Sequence, residues 1–169
     1  WFNPFGISTI TNSTWTFSTL NNLLFIGGNF TTIIKGFDTS ISNSIALGYQ
    51  AGYCGSNINS ISLGYQAGYS AQGSGSIAIG MNSGIIQDSN AVAIGVGAGS
   101  IYQSQNAVAI GNSAGNAQQG SGSIAIGFKS GNYNQNSTSI AIGIQAGNTN
   151  QGTGSVALGY QSGYNTQGY

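Results

Sequence analysis

The side chains that could perform acid–base or nucleophilic chemistry are few in this 169-residue chain. Its charged residues are Lys35, Asp38, Asp88 and Lys129, and it contains no His, Glu or Arg. General acid–base catalysis needs a titratable group placed next to the reacting atoms, and two isolated Asp residues form no such arrangement. Cys54 is the single cysteine, so it has neither a His to activate it nor a partner for a disulfide. We therefore expect no enzyme activity, no catalytic residue, no metal site and no cofactor.

The overall charge excludes further classes of function. The formal net charge is zero, and only 2% of the residues are charged. Nucleic acid and anionic membrane surfaces are attracted by basic fields, which this chain lacks. The 29 glycines do not form a phosphate-binding loop, because the Gly-Lys-Ser/Thr ending is absent. No apolar run reaches the roughly 18 residues of a membrane-spanning helix, so we expect no direct membrane insertion.

A repeated nine-residue phrase dominates the sequence, as in "SIAIGMNSG", "SIAIGFKSG" and "SIAIGIQAG". The spacings between successive copies are 16, 16, 15, 16, 16, 16 and 16 residues. The eight copies begin at Ser44, Ser60, Ser76, Ala91, Ala107, Ser123, Ser139 and Ser155. We number the positions of each copy from these residues. Such a regular period predicts a stacked repeat architecture.

The first five positions of each copy alternate between small and large residues. Position 2 is Ile or Val, position 4 is Ile or Leu, and position 3 is Ala except at Ser62. Positions 5 and 9 are always Gly, and a Gln follows near position 13. Period-two alternation predicts a strand ending at the first Gly, with a second extended stretch before the second Gly. We expect a parallel β-solenoid of eight coils over residues 44–169, with positions 2 and 4 buried and the Gln side chains stacked as an amide ladder.

The small residues of the first strand form a strip along the predicted solenoid. A solvated strip would normally carry charged or larger polar side chains, whereas small neutral ones let another backbone approach closely. The sequence therefore predicts a homo-oligomer, most simply a trimer, packed through this strip. Its predicted interface residues are Ala46, Ala78, Ala93, Ala109, Ala125, Ala141 and Ala157, with Ser62 in the same column.

Tyrosines concentrate in the first two coils and in the last coil. They form a candidate contact patch for a sugar or a protein; alternatively, they complete the ends of the solenoid, where neighbouring coils are missing. The residues are Tyr49, Tyr53, Tyr65, Tyr69, Tyr160 and Tyr164.

Residues 1–43 do not follow the repeat and are rich in bulky apolar side chains. The stretch "NNLLFIGGNFTTI" predicts a strand, a Gly-Gly bend and a second strand. It is also similar to the "YVGGNFT" phrase of some β-propeller-like repeat proteins. A β cap, or the end of a preceding β domain, is expected here, because an exposed solenoid edge invites uncontrolled strand pairing. The chain begins at Trp1 rather than Met, which predicts a processed product or part of a longer protein.

The phrases "NAVAIGVGAG", "NAVAIGNSAG" and "GSIAIGFKSG" resemble the head repeats of YadA-type trimeric autotransporter adhesins. Similar repeats occur in phage and giant-virus fibre proteins. The resemblance covers roughly residues 43–169 and implies a left-handed parallel β-roll of three intertwined chains. This chain departs from the family in its longer Gln-containing segment and in its lack of charge.

The function that the resemblance implies is that of a structural or adhesive fibre element. It would be extracellular, displayed on a cell or virion surface, and its partner would be a surface receptor, a glycan or a matrix protein. The alternative is an ice-binding β-solenoid, which would need a regular Thr-X-Thr array on a flat face. The Ser-Ile-Ala phrases and scattered Thr residues of this chain do not supply one.

Overall fold

The computed structural model describes residues 7–9, 16–20, 23–27, 44–54 and 58–168. Every regular element in these ranges is a β-strand. Contacts divide the chain into two compact units, Trp1–Ile33 and Ile34–Tyr169. The predicted all-β, parallel solenoid architecture is confirmed, while the left-handed sense remains an implication of the resemblance.

The N-terminal unit contains a three-stranded antiparallel sheet. Its strands, in sheet order, are β1 (Ile7–Thr9), β2 (Thr16–Leu20) and β3 (Leu23–Gly27). In the β2–β3 hairpin the pair next to the turn is Leu20 and Leu23. The first predicted strand of the 21–33 stretch is therefore β3, and it is preceded by a hairpin turn that the sequence analysis does not predict. The partner strand expected after the Gly-Gly bend falls in 28–43, outside the described residues, and the capping role stays a prediction.

The first sheet of the solenoid is built from positions 2 to 4 of all eight coils. Its strands are β4 (Ile45–Leu47), β5 (Ile61–Leu63), β7 (Ile77–Ile79), β9 (Val92–Ile94), β11 (Val108–Ile110), β13 (Ile124–Ile126), β15 (Ile140–Ile142) and β17 (Val156–Leu158). Each strand pairs in parallel with its equivalent in the next coil, as in Ala109 opposite Ala125. Identical positions therefore stack in columns along the solenoid.

The second sheet carries the Gln of each coil and also runs in parallel. Its strands are β6 (Ala71–Gln72), β8 (Ile86–Gln87), β10 (Ile101–Gln103), β12 (Ala117–Gln119), β14 (Tyr133–Gln135), β16 (Thr149–Gln151) and β18 (Asn165–Gln167). The sequence predicts the second extended stretch between the two glycines, and this is wrong. Positions 5 to 9 form a turn, and the second strand follows the second Gly.

The predicted inside and outside of the first strand are reversed in the structure. In the central coils, Ala at position 3 is fully buried, whereas the branched residues at positions 2 and 4 are only half-buried. The small-residue strip is thus the interior of the chain's own coil and cannot be an interface between subunits. Among the predicted interface residues, those fully buried within the single chain are Ala78, Ala93, Ala109, Ala125, Ala141 and Ala157. Ala46, in the first coil, is half-buried.

The interior is too narrow for larger side chains at position 3. A Cβ placed on Gly131, at position 9 of its coil, would lie 3.2 Å from the Cβ of Ala125 and 2.4 Å from Oε1 of Gln135. The φ angle of Gly131 is also 48°, a left-handed conformation that favours glycine. The layer between the two sheets therefore holds mainly Ala and Ser, with one extended Gln from each of the second to eighth coils.

The buried Gln side chains join the two sheets. In every coil from the second to the eighth, the Gln Nε2 donates to the backbone carbonyl of position 2, as from Gln119 to Val108 at 2.8 Å. Amides also bond along the axis, from Gln87 to Gln103 at 2.9 Å and from Gln119 to Gln135 at 3.2 Å. The predicted ladder of Gln side chains thus exists, but its amides hydrogen-bond to one another in pairs and lie in the interior of the coil. The Oε1 atoms of Gln87, Gln119 and Gln151 are buried without a hydrogen-bond partner.

The invariant Gly at position 5 is explained by contact between coils. A Cβ on Gly111 would lie 2.7 Å from the carbonyl oxygen of Gly127 in the next coil. Gly159 occupies the same position in the last coil, where a Cβ would meet nothing within 4 Å. The first glycine therefore permits coil stacking, beyond its role in ending the strand.

We expect Gly111→Ala to destabilise the solenoid by at least about 2 kcal/mol more than Gly159→Ala, since only the former adds a clash with the next coil. Both glycines have positive φ, 127° and 105°, so the cost of the backbone conformation is present in both variants. Urea unfolding followed by circular dichroism measures the difference. Equal losses of stability would contradict the stacking explanation.

The unpartnered Gln oxygens generate a second prediction. Ser62 stands where other coils have Ala, and its hydroxyl donates to Oε1 of Gln72. Ala109→Ser should supply the same donor to the unpartnered Oε1 of Gln119. Its stability should exceed that of Ala125→Ser by about 1 kcal/mol, because the Oε1 of Gln135 already accepts a hydrogen bond. Thermal unfolding of the two variants tests this, and indistinguishable midpoints would refute it.

Candidate interaction surfaces

The side chains with reactive chemistry lie apart on the surface. Asp88 and Lys129 are exposed, and Cys54 is an exposed free thiol. Lys129 Nζ lies 5.4 Å from the ring centroid of Phe128. Within the described ranges, no three His, Cys, Asp or Glu residues come together as a metal site would require. Lys35 and Asp38 fall outside those ranges.

In the part of the chain that the structure describes, no helix has the length and apolar character needed to cross a membrane.

Branched apolar residues line the outer side of the first sheet. The side chains at positions 2 and 4 project away from the Ala interior, and their flanks are covered by the same residues of adjacent coils. We call this surface the apolar face; it consists of positions 2 and 4 of strands β4 to β17 in the first sheet. With about 4.8 Å between strands, eight coils extend it over roughly 38 Å. A continuous apolar strip of this length is characteristic of a surface that associates.

The residue at position 6 adds further apolar area next to the apolar face in most coils. It is Asn112 in the fifth coil. The apolar members of this column are exposed, and they are Tyr49, Tyr65, Met81, Val96, Phe128, Ile144 and Tyr160.

The structure does not gather the predicted tyrosine patch in one place. Tyr49 stacks on Tyr65 with ring centroids 5.2 Å apart, and Tyr53 stacks on Tyr69 at 5.4 Å. Tyr160 and Tyr164 belong to the last coil, six coil steps or about 29 Å from the second. The first two coils thus carry two stacked pairs, and the last-coil tyrosines are separate from them.

The outer side of the second sheet has a different chemistry. In the fourth to seventh coils, position 12 adopts a left-handed conformation, with φ between 52° and 57° at Tyr102, Gln118, Asn134 and Asn150. Strand pairing skips this residue, as in Ile101 opposite Ala117 and Gln103 opposite Gln119. Both paired strands skip this residue at the same position, so each second strand carries an in-register left-handed kink, which we call the bulge. The kink turns position 12 outward and the following Gln inward.

A groove of about 420 Å³ lies at this bulge column. Its exposed lining includes Tyr102, Gln118, Asn134, Asn136 and Ser137, from the fourth to sixth coils. All of these side chains are neutral, and all carry a hydroxyl or an amide. The groove can therefore offer both donors and acceptors to a ligand without selecting a charge.

Sequence reasoning missed this groove, although the sequence contains a signal for it. The one 15-residue spacing arises because two residues, Ile85 and Ile86, separate the second Gly from the Gln in the third coil. Three residues separate them in the second coil and in the fourth to eighth coils, so each of these has one residue more than the third coil. In the fourth to eighth coils the residue before the Gln has a positive φ and forms the bulge, whereas Ala71 of the second coil has none.

One comparison with known proteins gives a match. The model of the YadA head domain repeat matches residues 56–83 in two copies, which confirms the suspected YadA-type head repeats. No curated protein and no solved structure matches the chain.

The left-handed backbone conformation at the bulge should raise the free energy of the folded state when the residue is Gln118, but not when it is glycine. We expect Gln118→Gly to raise the free energy of unfolding by up to about 1 kcal/mol. The neighbouring Ala117→Gly, at a residue without positive φ, should lower it by about 0.5–1 kcal/mol. Denaturant unfolding of both variants gives the signs, and the same sign for both would contradict the bulge.

Proposed function

We propose that the solenoid is the trimeric head of a surface fibre, used for attachment or surface coating, with the apolar face as its subunit interface. The single observation that supports this most strongly is the outward position of the branched residues. The YadA head repeat match supports an adhesin-type fibre element and a surface-exposed location.

The apolar face suits an interface within a fibre for an energetic reason. The interior of a coil buries mainly Ala, Ser and Gln, so hydrophobic burial inside a single chain is small. Removing apolar area from water stabilises by roughly 25 cal/mol per Å². Packing the Ile, Val and Leu columns of three chains about one axis would bury the branched aliphatic side chains that a single coil leaves half-exposed.

The ice-binding alternative is not supported. The outer side of the first sheet carries branched aliphatic residues rather than a Thr-X-Thr array. The outer side of the second sheet carries bulges, whereas an ice lattice would need a flat face. The family match also concerns an adhesin head repeat.

The trimer is tested by light scattering of the native chain, which should give three times the mass of 17.1 kDa. Ile110→Asp should then convert trimers into folded monomers, because the carboxylate would be buried at the interface yet solvated in a single coil. Retained β-sheet circular dichroism distinguishes dissociation from unfolding.

Gln118→Asp is the matched control, since Gln118 is exposed on the outer side of the second sheet. It adds the same charge and should leave the trimer intact. A monomeric native protein, or a trimer that survives Ile110→Asp, would overturn the proposed interface.

A further inference from the structure

We propose that the groove on the second sheet binds a neutral, surface-attached glycan. The proposal assigns a partner to a surface that the trimer interface does not use. It goes beyond the proposed fibre role, and it can fail while the trimer stands.

The lining of the groove matches the chemistry of sugars. A sugar hydroxyl both donates and accepts hydrogen bonds, and so do the Gln118 and Asn134 amides and the Ser137 hydroxyl. The Tyr102 ring adds an apolar surface with a polar tip, which suits the mixed character of a pyranose ring. The groove has a volume of about 420 Å³ and is largely open to solvent, so a glycan would lie along it with one side exposed.

Charge favours a neutral glycan over an acidic one. The groove lining contains no Lys, Arg, Asp or Glu. A sialic acid, uronic acid or sulfate group would therefore find no cationic partner in the groove. Hydrogen bonding by amides and hydroxyls does not require such a partner.

Tyr102 is the groove residue whose exposed aromatic ring most suggests a role in binding. It is 60% exposed and holds a φ of 57° at a bulge position. Asn tolerates this conformation better than an aromatic residue does, and Asn134 and Asn150 fill the equivalent positions. The left-handed conformation recurs at position 12 of the neighbouring coils, so the fold requires the conformation there but not an aromatic ring, which Gln118 and Asn134 lack.

The two sheets face each other across the buried Gln column, so the groove and the apolar face point in different directions. This follows from the Gln119 side chain, which crosses from the second sheet to the Val108 carbonyl of the first. Packing of the apolar face in a trimer would leave the groove open. Three copies on one fibre would then bind an immobilised glycan with avidity.

The test is binding of the full chain to a printed array of glycans. The array carries neutral glycans ending in mannose, glucose, galactose or N-acetylglucosamine, together with sialylated and sulfated ones. We expect retention on neutral glycans and at least about a tenfold loss of apparent affinity for Tyr102→Asn. The melting temperature of that variant should stay equal or rise, because Asn tolerates the left-handed backbone.

Tyr164→Asn is the matched control, because it removes an exposed tyrosine of the last coil, outside the groove. It should bind as the native chain does. The proposal is overturned by absence of retention on neutral glycans, by preference for acidic glycans, or by equal binding of Tyr102→Asn and the native chain. Light scattering of the same samples reports separately on the trimer, so the two proposals fail independently.

Discussion

The close approach of the two sheets is the constraint on which the rest of the solenoid depends. The space between them admits Ala at position 3, Ala or Ser at positions 1 and 8, and one extended Gln. Ser is compatible with this space because its hydroxyl bonds the carbonyl three residues earlier, as Ser123 does with Gly120 at 2.7 Å. The glycine at position 9 is required by the same lack of room, since the Gln amide occupies the place of its Cβ.

A core of this kind places small and amide side chains inside and branched aliphatic side chains outside, which is the reverse of the usual arrangement. Its largest fully buried side chains are amides, which replace their hydrogen bonds to water with bonds to the opposite sheet. The branched aliphatic residues find no space inside and line the outer side of the first sheet. Stability of the coil thus rests on hydrogen bonding and close contact within the chain, whereas the proposed association of chains would rest on burial of the apolar face.

The sequence predicts the repeat, the parallel pairing and the absence of helix, because period-two alternation and invariant spacing depend only on backbone geometry. It does not predict which face of the first strand is inside. The assumption that large apolar residues are buried fails at Ile110, since the interior width is set by close approaches such as that of Gly131, in the turn between the two strands, to Ala125 of the first sheet. The groove escaped prediction for a similar reason: the bulge at Tyr102 depends on a backbone angle that many residue types can adopt at a cost.

The third coil shows how this architecture accommodates a change in repeat length. It lacks the bulge residue, yet Gln87 still reaches the carbonyl of Ile77 at 3.0 Å, and its amide still pairs with Gln103. The residue that the third coil lacks is therefore an outward-facing residue of the second strand. Its absence alters neither the interior nor the first sheet. Such an array can gain, lose or exchange whole coils, and can vary its outer chemistry coil by coil, while each junction keeps the same fit. A lineage that carries it could diversify its surface through duplication and unequal recombination without rebuilding its core.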